Sequence, residues 1–145
     1  MMGAVAAGAR AAGGHTVGVV PEALRHRADR AVDELRVTSS MAERKAVMIA
    51  RSDALLALPG GVGTCDEIFE AWTSRMLLPH AKPLVVLDHR GHFRELVAWI
   101  ERMLEAGFVS REWRRALLVA DDLDRALDLC TTGDAGAPML GPVAR

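Results

Sequence analysis

The stretch LPGGVGTCDE, residues 58–67, places three glycines within four positions. The apolar run DALLALPG (53–60) leads into it and is typical of a strand, and a helical pattern extends from Thr64 to about Leu78. Glycine lets the backbone adopt positive φ and approach a ligand closely. The helix that follows offers unsatisfied N–H groups and the positive end of its dipole. The stretch is therefore a phosphate cradle, a catalytic turn or an ordinary tight loop.

Short apolar runs alternate with longer helical patterns on both sides of this stretch. The predicted strands are residues 15–20, 34–39, 53–60, 82–88 and 116–120, and the predicted helices are 1–14, 40–52, 64–78, 91–108 and 121–130. This alternation indicates an α/β fold, in which a parallel sheet has helices on both faces. Ligands bind such sheets beyond the carboxyl ends of the strands, and PGGVGT follows one of those ends. We predict one domain over residues 1–130 and a flexible C-terminal tail over 131–145.

Composition narrows the class of partner. The 145 residues carry a formal net charge of −1, which provides no overall field toward nucleic acid or membrane. Aromatic residues make up 4% of the chain and Tyr is absent, so a base-stacking surface is not expected. Cys65 and Cys130 show no metal-binding spacing and are typical of a reducing cytoplasm. No apolar run reaches the roughly 18 residues that a membrane-spanning helix needs.

The glycine stretch does not match the common nucleotide-binding motifs. GxxxxGK[ST] is absent because no Lys follows the glycines, and GxGxxG is absent because Asp66 stands where a third glycine would be needed. A P-loop ATPase and a dinucleotide-dependent dehydrogenase are therefore not predicted.

Charged residues near two helix starts are candidates for chemistry. Glu67 lies in the first turn of the predicted helix, where the dipole alone favours a carboxylate. Beside a bound phosphate, the same carboxylate would have to face another part of the substrate. Arg44 and Lys45 lie near the start of helix 40–52, where the dipole disfavours cations. They are either solvated surface residues or ligands for an anion. His89 and His92 form a loose HxxH that is more typical of a loop than of a metal site.

With these two stretches in view, the sequence resembles the LONELY GUY family of cytokinin riboside 5′-monophosphate phosphoribohydrolases, formerly labelled lysine decarboxylase-like. The family motif PGGxGTxxE is complete at residues 59–67, and SMAERK at 40–45 resembles the family element SMHERK. Further similarity lies in GVVPEAL (18–24), FEAWT (69–73), KPLVVLD (82–88) and EAGFV (105–109).

The resemblance implies a Rossmann-like fold, usually as a homodimer and sometimes as a larger assembly, and hydrolysis of the N-glycosidic bond of a nucleoside 5′-monophosphate to free base and ribose 5-phosphate. It implies no metal and no organic cofactor. The family's catalytic pair corresponds to Arg44 and Glu67, and Arg44 either orients Glu67 or binds anionic groups of the substrate. The implied phosphate and ribose contacts are Lys45, Gly60, Gly61, Val62, Gly63, Thr64 and Thr73.

The sequence departs from the family pattern at three places. Ala42 stands where the family has His, and an acidic residue that follows the family's PxxL element has no counterpart in RHRADRAVDE (25–34). The sequence is also expected to lack the N-terminal strand or strands of the family. These departures support an alternative function, a non-catalytic or degenerate module that binds a nucleotide such as AMP.

Overall fold

The computed structural model describes residues 1–77 and 82–133. The chain divides into two compact units, Met1–Arg51 and a second that begins at Ser52. Parallel strands flanked by helices make up each unit, so the predicted α/β class is confirmed. The tail was predicted over 131–145: residues 131 and 132 belong to the last helix, and the part from residue 134 onward lies outside the described residues, as does the predicted helix end at Leu78. No helix within the described ranges is long and apolar enough to cross a bilayer.

The first unit is a two-stranded parallel sheet with helices. Its elements are α1 (Met2–Ala11), β1 (Val17–Pro21), β2 (Glu34–Thr38) and α2 (Met41–Arg51), with a 3₁₀ turn over Glu22–Arg27 that the sequence did not predict. Val17 is opposite Glu34 and Pro21 is opposite Thr38. Two glycines follow the end of α1: Gly13 has a φ of 78°, and the Gly14 N–H donates to the Ala9 carbonyl at 2.8 Å.

A carboxylate bridge joins the start of β2 to the end of α2. Arg51 donates from Nη1 and Nη2 to the two carboxylate oxygens of Glu34, at 2.6 and 3.1 Å, and Arg36 Nε also contacts that carboxylate. The hydrogen bonds from Arg51, and then those from Arg36, lower the pKa of Glu34 to about 2. The bridge links the two ends of the β2–α2 segment, because Glu34 is the first residue of β2 and Arg51 is the last residue of α2.

Neutralising this carboxylate is expected to weaken the fold in a pH-dependent way. The folded pKa of Glu34 lies below the unfolded value of about 4.3, so its stabilisation is present above the unfolded pKa and is lost as pH falls toward about 2. We expect Glu34→Gln to lower the thermal midpoint near neutral pH, and the two midpoints to converge as pH falls to about 2. Circular dichroism melts across this range measure the effect. Glu22→Gln is the control, because the only contact of Glu22 within residues 1–77 and 82–133 is an exposed 3.6 Å pairing with Arg25. A midpoint difference that does not change with pH would contradict the assignment.

The second unit is a three-stranded parallel sheet in the order β3-β4-β5. Its strands are β3 (Leu55–Ala57), β4 (Leu84–Leu87) and β5 (Leu117–Ala120), and its helices are α3 (Val62–Leu77), α4 (Arg94–Glu105), α5 (Arg111–Ala116) and α6 (Leu123–Thr132). All four residues of the central strand β4 are buried, as is typical of a continuous apolar run. Helix α6 packs across the sheet through Ala126, which is fully buried beside Val85 and Leu87.

The start of one helix in this unit differs from prediction, and a further helix was not predicted. The helix predicted over residues 91–108 begins at Arg94, because a 3₁₀ turn over His89–Gly91 comes first, with φ of 57° at Arg90 and 73° at Gly91. Helix α5 was not predicted at all. It is short and is capped by Ser110, whose Oγ accepts from the Trp113 N–H at 3.3 Å.

Candidate active site

The glycine turn connects β3 to α3, and its glycines act through their small size. None of the three has positive φ, since positive φ occurs among the described glycines at Gly13, Gly91 and Gly107. A Cβ on Gly60 would lie 2.1 Å from Thr64 Oγ1, so Gly60 must lack a side chain. A Cβ on Gly61 or Gly63 would have no atom within 4 Å. The backbone at these two positions is therefore open to a ligand.

Helix α3 begins at Val62, two residues earlier than predicted. The Gly61 carbonyl accepts from the Thr64 and Cys65 N–H groups, at 3.0 and 3.1 Å. Thr64 is therefore the third helical residue and is not an N-cap. The N–H groups in the first turn of a helix have no intrahelical partner, so this end of α3 suits an anion.

The early start of α3 moves Glu67 into the second helical turn, and the prediction that it lies in the first turn is wrong. Dipole stabilisation of a carboxylate falls off within the first turn. The dipole is therefore a weak reason for a Glu at this position. Glu67 is half-buried and lies three and four residues after Thr64 and Gly63, so the three residues share one face of the helix. The carboxylate is thus one turn away from the open glycines.

Thr73 lies away from the glycine turn. Nine residues separate it from Thr64, which is about 13 Å along a helix. Its Oγ1 donates to the Phe69 carbonyl at 2.8 Å, and its side chain lines an apolar cavity of about 350 Å³ with Trp72 and Trp99. The structure therefore does not bring Thr73 together with the residues of the turn.

The start of α2 in the first unit is capped by side chains of SMAERK and its neighbour. Ser40 Oγ accepts from the Glu43 N–H at 3.1 Å. Glu43 Oε2 accepts from the N–H and Oγ of Ser39, at 2.7 and 2.6 Å. This is a capping arrangement, and the hydrogen bond from the Ser39 hydroxyl lowers the pKa of Glu43. Glu43 therefore has a structural reason to be in the motif.

Arg44 is half-buried, and its Nε donates to the Val19 carbonyl of β1 at 3.0 Å. This contact explains why a cation is accommodated close to a helix start, where the dipole disfavours it. Lys45 is also half-buried. The structure thus describes Arg44 and Lys45 in the first unit, and the glycine turn, Glu67 and Thr73 in the second.

The sequence did not identify His92 as a residue of the glycine turn. His92 Nε2 lies 2.8 Å from the Gly60 carbonyl oxygen and 3.2 Å from the Gly60 nitrogen. The only sequence signal was indirect, because β3 and β4 are neighbours in the sheet and the segments that follow them therefore meet.

The fold and this turn define an α/β protein with a strand, a glycine turn and a helix arranged as in phosphate-binding proteins. The family model described as "Possible lysine decarboxylase" matches residues 2–130, so the chain belongs to that family. The family identified from PGGVGTCDE and SMAERK is confirmed.

Three bacterial relatives carry the name "Cytokinin riboside 5'-monophosphate phosphoribohydrolase". The protein of that name from Mycobacterium marinum is 52% identical over 134 residues, which are 91% of this chain and 72% of the relative. The Mycobacterium tuberculosis protein is 52% identical over 131 residues, 89% of this chain and 70% of the relative. The Rhodococcoides fascians protein is 39% identical over 130 residues, 88% of this chain and 66% of the relative.

Proposed function

We propose that this protein hydrolyses the N-glycosidic bond of nucleoside 5′-monophosphates, including cytokinin riboside monophosphates, to free base and ribose 5-phosphate. One observation carries the proposal. The complete PGGVGTCDE motif lies at the carboxyl end of a parallel strand, with Gly61 and Gly63 open and Glu67 one helical turn beyond. The names of the relatives from the two Mycobacterium species support the same reaction.

The open turn and the start of α3 would bind the 5′-phosphate through backbone N–H groups. Binding energy from the phosphate, which does not react, then orients the ribose for reaction. The side chains proposed to assist are Thr64 on the helix and Lys45 on α2. Thr73 would contact a more distant part of the substrate, because it lies beside the aromatic cavity.

Glu67 is the proposed catalytic carboxylate. As the bond between C1′ and the base nitrogen breaks, positive charge develops on the ribose ring, and a carboxylate stabilises that charge and takes a proton from the attacking water. The water oxygen bonds to C1′, the bonding pair leaves with the base, and the proton removed from the water by Glu67 ends on the base nitrogen, which regenerates the carboxylate. Arg44 completes the proposed pair, either by orienting Glu67 or by binding anionic groups of the substrate.

We further propose that residues 1–130 form one catalytic domain, which acts in the cytoplasm as a homodimer and needs no metal or organic cofactor. Exposed aromatic side chains support self-association, since Trp99 and Phe108 are 44% and 84% exposed. Trp72 and Met76 are not available for such a contact, because both are buried in the core of the second unit.

A two-part assay tests the proposed reaction against nucleotide binding without turnover. The protein is incubated with AMP and with isopentenyladenosine monophosphate, and the free base is separated by chromatography. Thermal melts with AMP are recorded in parallel. We expect both stabilisation by AMP and release of base. Stabilisation without release would contradict the hydrolase and support the binding module, which Ala42 in place of the family His favours.

A further inference from the structure

The side chain of His92, which lies after the neighbouring strand β4, contacts the backbone of Gly60, the first glycine of the turn. Its Nε2 is within hydrogen-bonding distance of both backbone polar atoms of Gly60, at 2.8 Å from the oxygen and 3.2 Å from the nitrogen. The side chain itself is exposed. The contact therefore has no role in filling the core.

Several contacts of the segment 88–93 hold His92 in this position. Asp88 follows β4, and its N–H donates to the Ala120 carbonyl at 2.7 Å, while its Oδ1 accepts from the Phe93 N–H at 2.5 Å. Between these anchors the chain reverses through two consecutive residues of positive φ, Arg90 and Gly91. Phe93 is 3% exposed and packs edge-to-face with the His92 ring, the ring centroids 4.7 Å apart. A backbone in this conformation holds His92 in one place.

One ring nitrogen cannot donate and accept a hydrogen bond at the same time. With a proton on Nε2, His92 donates to the Gly60 carbonyl. Without that proton, it accepts from the Gly60 N–H. Gly60 is therefore held in either state, and it is also the residue whose missing side chain lets Thr64 approach.

We propose that His92 is a positioning residue for the phosphate-binding turn. This inference rests on the proposed function, because the turn is taken to bind the 5′-phosphate of the substrate. Displacement of Gly60 would move its neighbour Gly61 and the Thr64 side chain packed against it. His92 thus acts on phosphate binding through Gly60, without contacting the reacting atoms.

The test compares substitutions at His92 with one at His89. We expect His92→Ala to raise the KM for AMP about 3-fold to 10-fold, the size of one lost hydrogen bond, with kcat changed less than about 2-fold. His92→Gln is expected to restore KM, because the Gln amide has a donor and an acceptor at about the reach of Nε2. His89→Ala is the control, because within the described residues its side chain makes no hydrogen bond or ion pair. Its KM should match that of the wild type.

Two measurements without turnover separate this inference from the proposed reaction. They are the Kd for ribose 5-phosphate by calorimetry and the hydrogen-exchange rate of the amides of residues 60–64. If the wild type releases no base, the proposed reaction fails, while weaker ribose 5-phosphate binding and faster exchange in His92→Ala still support the positioning role. The inference is overturned if His92→Ala changes neither quantity, if His92→Gln is as impaired as His92→Ala, or if the wild type binds neither AMP nor ribose 5-phosphate.

Discussion

Replacement of Glu67 with Gln is expected to reduce kcat for base release by about 10³-fold, with little change in AMP binding. Gln has nearly the size of Glu but can neither take a proton from water nor carry the negative charge that stabilises the developing cation. Steady-state kinetics with AMP and calorimetric titration together measure the effect.

Asp66→Asn is the matched control for Glu67→Gln. Asp66 is the adjacent carboxylate on the same helix and is exposed, whereas Glu67 is half-buried. We expect Asp66→Asn to retain kcat within about 2-fold, as for an ordinary surface substitution. Equal losses in both variants would indicate an electrostatic effect of the helix as a whole. Full activity in Glu67→Gln would rule out Glu67 as the catalytic carboxylate.

The second large effect is expected at the glycine turn. Gly61→Ala should weaken substrate binding, whereas Gly60→Ala should lower the stability of the fold. A Cβ at Gly61 meets no protein atom within 4 Å and needs no positive φ, so the variant should fold normally. The added methyl group projects into the space proposed for the phosphate. We expect the KM for AMP to rise about 10-fold or more, because one or more charge-assisted hydrogen bonds to the phosphate would be lost.

Gly60→Ala should instead destabilise the protein. Its Cβ would lie 2.1 Å from Thr64 Oγ1 and 2.9 Å from Thr64 Cβ, so the turn must shift. Overpacking of this kind costs about 1–3 kcal/mol of unfolding free energy. Gly8→Ala in α1 is the control for Gly61→Ala, because Gly8 also has open space around the new Cβ but is not among the residues proposed to bind substrate. It should raise stability by about 1 kcal/mol and leave the KM for AMP unchanged. Wild-type KM in Gly61→Ala would contradict phosphate binding at the turn.

Hydrophobic pattern was sufficient to predict most of the architecture. The four-residue β4 is buried throughout and its run is continuously apolar, so its sequence and environment agree. Helix boundaries depended on backbone contacts that no pattern reveals. The start of α3 at Val62 is set by the Gly61 carbonyl, and the delayed start of α4 at Arg94 is set by two residues of positive φ.

The site was predictable to the extent that its residues are adjacent in sequence. PGGVGTCDE could be identified as one motif because a single turn and helix start contain it. The contact of His92 with Gly60 spans 32 residues and depends on two strands being neighbours, so only the structure reveals it. The structural reason for a glycine at each of the three positions also could not be deduced from the sequence. Positive φ was a possible reason for all three, whereas the structure shows close approach at Gly60 and open space at Gly61 and Gly63.

The balance of products from AMP tests the central claim most directly. Free adenine and ribose 5-phosphate are quantified in the same reaction in phosphate-free buffer, with adenosine as a parallel substrate that lacks the 5′-phosphate. The account predicts equal amounts of the two products from AMP, and turnover of adenosine lower by about 10²-fold or more, because the phosphate supplies the orienting energy. No adenine from AMP, or equal turnover of adenosine and AMP, would contradict it.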